Sequence, residues 1–153
     1  MIVELKDSSW NRIAAHAQQT FPDECCGIIF SDGAGERVVE LENIQNKLHA
    51  LDPEAFPRTA ATAYNINALE LDNLCSEAKN RGEKLIVFYH SHPDHDPYFS
   101  AEDKAFAIQD GAPAFPGTAQ IVVSLNEHEV LSIKAYAWSE EHKDFVEVPM
   151  QRA

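Results

Sequence analysis

Apolar positions recur along the chain in two periods, and each change of period marks an element. Residues 2–5 read as a short first strand. Asp7 or Ser8 can cap a helix running to about Thr20, with Trp10, Ile13, Ala14 and Ala17 on one face and Pro22 marking its end. Residues 25–30 form a short apolar strand. The turn cluster Ser31-Asp32-Gly33-Ala34-Gly35 leads into a returning hairpin strand at 37–41, which carries Val38 and Val39. Residues 46–57 lack a clear period and hold Pro53 and Pro57, which predicts a loop with one helical turn at 52–54. Residues 59–64 read as another strand. The spacing of Leu69, Leu71, Leu74 and Ala78 predicts a helix over 67–81, and Gly82 supplies its C-terminal signal.

The run Leu85-Ile86-Val87-Phe88 reads as a buried strand that Pro93 brings to a stop. Ser100 opens a helix to about Gln109, and 111–117, with Pro113 and Pro116, is a loop. Strands at 119–125 and 130–138 are joined at Asn126-Glu127-His128-Glu129, and 145–148 is a last strand. Strands dominate both ends and two long helices flank a central sheet. That pattern predicts an α+β or mixed α/β fold.

Length and charge narrow the picture. The 153 residues are expected to form one domain, 1–153, with a proper core, and 44% hydrophobic with 24% charged residues suits a soluble globular chain. No basic start followed by an apolar run marks a signal peptide, and no apolar stretch approaches the roughly 20 residues needed to span a bilayer. The sparse cysteines Cys25, Cys26 and Cys75 form no Cys-x-x-Cys pair, which points to a reducing cytoplasm. A net charge of −13 argues against nucleic acid and anionic membranes as partners. It permits a basic protein partner, and it also suits a high-salt cytoplasm.

The candidate chemistry lies after the Leu85 run. His90 and His92 are two apart on a strand, so both imidazoles project to one face. Asp103 falls in the first turn of the Ser100 helix. Two histidines and an aspartate are the ligands a catalytic zinc site uses, with a fourth position left for water, whose pKa zinc can lower to about 7. Ser100-x-x-Asp103 also resembles a capping box, and one helix start can both cap and ligate. A proton acceptor is still required. Glu24, Asp94, Asp96 and Glu102 all qualify chemically, and spacing does not choose among them. Ser91 should face away from the histidines as structural support. His95 reads as a loop residue near the site, and Cys25 or Cys26 with a histidine offers a less favoured thiol-protease reading.

His90-Ser91-His92, a seven-residue gap, Ser100 and then Asp103 resemble the JAMM (MPN+) family of zinc metallopeptidases. Phe21-Pro22-Asp23-Glu24-Cys25-Cys26-Gly27 is similar to that family's early Pro-x-Glu-Cys-x-Gly element. The resemblance runs from about residue 3 to about residue 138, with departures at Phe99, where relatives often have proline, and at the additional His95. It implies a curved mixed sheet between helices, zinc on His90, His92 and Asp103, Glu24 as general base and then acid, and Ser100 as oxyanion donor. It also implies an amide hydrolase acting on a ubiquitin-like tail. The compact length looks like the prokaryotic branch, which includes enzymes that trim ubiquitin-like sulfur-carrier proteins. An extended Gly-Gly tail could pair with an exposed edge strand beside the metal. The competing expectations are a peptidase of generic short peptides, a non-catalytic scaffold of the same fold, and a cell-wall peptidase relative of the phage-tail type.

Overall fold

The computed structural model describes residues 1–153. In chain order the elements are β1 (Val3–Leu5), α1 (Asp7–Thr20), β2 (Cys26–Ser31), β3 (Glu36–Leu41), α2 (Gln45–Leu51), α3 (Ala68–Asn80) and β4 (Lys84–Pro93). There follow α4 (Ala101–Ala107), β5 (Ile108–Gln109), β6 (Ala112–Pro113), β7 (Ala119–Leu125), β8 (Val130–Ser139), β9 (Asp144–Val148) and β10 (Met150–Arg152). Six strands form one sheet in the order β3-β2-β4-β7-β8-β9. The β4–β7 pair is parallel and the other pairs are antiparallel, so the sheet is mixed. Register shifts at Ile29/Phe30 and Ser124/Leu125 bend it. This is the mixed α+β fold that the pattern and the resemblance led us to expect.

The strand period assigns the two faces. On β4, Val87 and Tyr89 turn toward α1 and join Trp10, Ile13 and Ala17 in one core. Phe88 turns the other way and joins Ile28, Phe30, Leu71 and Ala78 against α3. His90 and His92 continue the Phe88 side, beyond the point where apolar packing ends. Their strand lies between β2 and β7, so its backbone is fixed from both sides.

Several expected elements differ. Residues 45–51 are helical instead of a loop; the expected turn follows, with Phe56 N–H donating to the Asp52 carbonyl at 2.9 Å. Residues 59–64 are not a strand. Their backbone groups are taken by side chains and single contacts: Asn46 Oδ1 accepts from Ala60 N–H, Asn43 Nδ2 donates to the Ala63 carbonyl, and the Ala60 carbonyl accepts from Glu24 N–H. A segment bonded this way has no ladder to join. The Ser100 helix ends at Ala107, two residues early, because Asp110 and Gly111 adopt positive φ and turn the chain into the β5–β6 pair. The terminal β10 pairs in parallel with β1 and carried no apolar signal, since all three of its residues are exposed.

Candidate metal centre

The end of β4, the start of α4 and the segment before β2 converge on one point. His90 and His92 are 0% and 5% exposed, Asp103 5% and Glu24 4%. Four buried polar side chains in one place need partners, and they face one another. His90 Nε2 and His92 Nε2 are 3.1 Å apart, and Asp103 Oδ2 lies 3.2 Å from the first and 3.4 Å from the second. An ion at about 2.0–2.1 Å from three tetrahedral ligands sets edges of roughly 3.3 Å between them. The triangle of ligand atoms therefore has the size a small tetrahedral cation requires.

Protonation agrees. His92 Nδ1 donates to the Asp96 carbonyl at 2.8 Å, which leaves Nε2 as the lone-pair nitrogen of the neutral ring. Burial pushes the His90 pKa down, against the pull of Asp103, so this imidazole favours the neutral form. Burial alone would raise the Asp103 carboxyl. The facing His90 and His92 side chains and the hydrogen bond from the Ser100 backbone outweigh it and hold that carboxyl well below the usual range. Lone pairs and an anionic oxygen pointed at a common centre repel one another unless a cation lies among them. The residues present fit a divalent metal.

The helix start caps itself, as expected, and holds a carboxylate toward the histidines. Ser100 Oγ accepts from Asp103 N–H at 3.1 Å, and Asp103 Oδ2 accepts from Ser100 N–H at 2.9 Å. That closed capping box fixes the carboxylate that faces the histidines. Ser100 also lines the cleft, and its hydroxyl proton is not used by the cap. Ser91 points to the opposite face, as its alternation requires. Its Oγ accepts from Cys25 N–H at 2.8 Å and its N–H donates to the Cys25 carbonyl at 3.1 Å, which ties the Glu24 segment to the histidine strand.

Glu24 is the residue that spacing could not select. A carboxylate oxygen of Glu24 lies within 4.8 Å of a ring nitrogen of each histidine. Burial, followed by the Asp103 and Glu102 charges, raises its pKa to about 9. Arg58 opposes the rise. Two triads thus share His90 and His92. The Asp103 oxygen sits at coordination spacing from both histidines, and Glu24 forms with the same histidines a second buried group that could hold a metal ion. Asp94 and Asp96 are exposed.

The cleft over these groups has a volume of about 370 Å³ and is lined by Glu24, His92, His95, Tyr98, Ser100 and Asp103. A second pocket of about 370 Å³, walled by Phe56, Tyr64 and Phe106, adjoins it. Arg58 and Glu102 border both pockets and form an exposed ion pair at 3.1 Å. Sequence reading missed Arg58, Tyr64 and Asn43: Tyr64 fell in the expected 59–64 strand, and Asn43 and Arg58 fell between expected elements, where no period marks them. His95 is exposed at the rim. The histidine strand itself offers no free edge: β4 is flanked by β2 and β7, and the sheet edges are β3 and β9. The thiol-protease reading also fails. Burial raises the Cys25 thiol to about 12, and burial raises Cys26 further still, so neither supplies a thiolate.

Comparison with known proteins fits this geometry. Desampylase of Haloferax volcanii is 26% identical over 124 residues, which span 81% of this chain and 78% of that protein. A solved protein of Desulfitobacterium hafniense superposes with a TM-score of 0.68 at 20% identity, covering 100% of this chain and 93% of that one. A solved protein of Salinibacter ruber superposes with a TM-score of 0.61 at 21% identity, covering 99% and 91%. At those identities the two structures speak for the fold alone. The profile of prokaryotic homologs of the JAB domain matches residues 6–139, and over that span the chain belongs to this family, within the JAMM grouping that its histidine and serine–aspartate spacing resembled.

Proposed function

We propose that this protein is a zinc-dependent isopeptidase that hydrolyses an amide bond at the Gly-Gly tail of a ubiquitin-like protein. The observation that carries the reading is the triangle of His90 Nε2, His92 Nε2 and Asp103 Oδ2, with edges of 3.1, 3.2 and 3.4 Å. His90, His92 and Asp103 would hold the metal. When bound there, zinc supplies Lewis acidity that polarises an amide carbonyl and lowers the pKa of water.

The chain's own groups supply the remaining chemistry. A cation beside Glu24 opposes the Asp103 and Glu102 charges that raise its pKa. The carboxylate can then take a proton from the attacking water and return it to the leaving nitrogen. Ser100 Oγ donates a hydrogen bond to the oxygen that gains charge. The capping box keeps Asp103 and Ser100 fixed during both steps.

The relative from Haloferax volcanii is named for removing a modifier protein, and that supports an isopeptidase over a peptidase of generic peptides. Cleavage after Gly-Gly suits a site whose polar side chains are buried, since glycine lets backbone come close. The substrate we infer is a ubiquitin-like sulfur carrier with a C-terminal extension or adduct. The test compares kcat/KM for folded carrier substrates with that for free peptides bearing the same tail, read by mass spectrometry. Preference for the folded carrier is expected. Equal values would remove the carrier assignment, and absence of cleavage with zinc present would remove the isopeptidase assignment.

A further inference from the structure

The two histidines are oriented by different means. His92 Nδ1 donates to the Asp96 carbonyl at 2.8 Å, the kind of hydrogen bond that normally sets the plane of a ligating imidazole. His90 Nδ1 is buried and has no hydrogen-bond partner. No hydrogen bond from this outer nitrogen sets the plane of the ring. A Tyr64 ring lies nearly flat against it instead, with centroids 4.5 Å apart and planes at 25°.

Tyr64 is itself held from two directions. Phe106 of α4 meets it edge-on at 5.9 Å, and Phe106 in turn packs edge-on against Phe88 at 5.5 Å. Asn43 brackets its backbone. Asn43 Nδ2 donates to the carbonyls of Ala63 at 3.1 Å and Glu24 at 2.9 Å, while Oδ1 accepts from the N–H groups of Asn65 at 3.1 Å and Gln45 at 3.0 Å. Both donors and both lone pairs of this amide are thus in use. The same side chain ties the Tyr64 segment to the residue that carries the Glu24 carboxylate.

We propose that Tyr64 is a positioning residue for the metal centre: it stacks on His90 and sets the ring plane that the absent hydrogen bond leaves free. The proposal rests on His90 being a metal ligand. Coordination through Nε2 withdraws electron density from the imidazole. The electron-rich face of Tyr64 then attracts the ligated ring more than the free one, so the stack favours the loaded site. The ring does this and the hydroxyl does not, so phenylalanine should replace tyrosine and an aliphatic side chain should not.

The test is a competition titration of zinc against a chromophoric chelator for the wild-type chain and for Tyr64→Phe, Tyr64→Leu and Tyr64→Met. Absorption spectra of the cobalt-substituted proteins report ligand geometry alongside. Tyr64→Phe should keep wild-type affinity and spectrum. Tyr64→Leu and Tyr64→Met should lose about 10- to 100-fold in affinity, the usual effect of removing an outer support of a metal ligand, with altered cobalt bands. Met fills the space flexibly, so it decides the matter should the Leu variant not fold. Wild-type affinity and spectra in the aliphatic variants would overturn the proposal and leave the ligand assignment standing. A wild-type chain that binds no zinc would overturn both.

Discussion

Glu24→Gln should make the metal-free protein more stable while stopping its chemistry. Glu24 is buried, and burial with the Asp103 and Glu102 charges lifts its pKa from 4.5 to about 9. The folded chain therefore binds this proton more tightly than the unfolded chain does. The stability tied to it is complete below pH 4.5 and is lost as pH rises toward 9. At roughly 1.4 kcal/mol per pH unit between 4.5 and 7, keeping the carboxyl protonated costs the metal-free fold about 3 kcal/mol at pH 7. Glutamine carries no such demand. Urea titrations of chelator-treated wild type and Glu24→Gln, at several pH values from 5 to 8.5, read the difference. The variant should gain about 3 kcal/mol at pH 7, or on the order of 6–12 °C in Tm, and the gain should shrink toward pH 5. Zinc should narrow the gap, because a cation beside Glu24 favours its ionised form. Turnover should fall by about 10²–10⁴. A variant no more stable than wild type at pH 7, or a difference that ignores pH, would refute the electrostatic reasoning.

Other substitutions follow from the same contacts. His90→Ala combined with His92→Ala should bind no zinc, and one tightly held metal per chain by elemental analysis would show the ligand set to be wrong. Ser100→Ala removes a helix cap and the proposed oxyanion donor; it should lower stability by about 1 kcal/mol and rate by about 10²–10³, and an unchanged kcat would leave Ser100 only its capping role. Gly27→Ala would place a Cβ 2.3 Å from the Tyr89 ring, whose hydroxyl bonds His16 Nδ1 at 2.7 Å. It should cost about 1–3 kcal/mol in urea unfolding, and the penalty should shrink when Tyr89 is also replaced by alanine.

Much of the site was legible because it depends on local periods. Alternation along β4 put His90 and His92 on one face and Ser91 on the other, and the Ser100-x-x-Asp103 spacing gave both a cap and a candidate ligand that faces the histidines. Glu24 could be named only by resemblance, since nothing local in a strand-start glutamate shows that it will lie near residues 66 and more positions away. The 59–64 segment was misread for a related reason. Ala60 and Ala63 are buried, which suits a strand, but their backbone partners are the side chains of Asn46 and Asn43 and the Glu24 N–H. That arrangement, and with it Tyr64 and Arg58 beside the cleft, is set by contacts between distant parts of the chain. Helix α2 was hidden because its N-cap, Ile44, makes no side-chain cap and only Gln45 among its residues is buried.

The most direct test of the account is a zinc titration of isopeptide cleavage. Protein stripped by chelator is mixed with a ubiquitin-like carrier joined through its Gly-Gly tail to a lysine side chain, and product is followed by mass spectrometry as zinc is added. Activity should be absent without metal, rise linearly, and saturate at one equivalent per chain, with Glu24→Gln binding the same equivalent and releasing almost no product. Full cleavage by the stripped protein, or by Glu24→Gln, would contradict it.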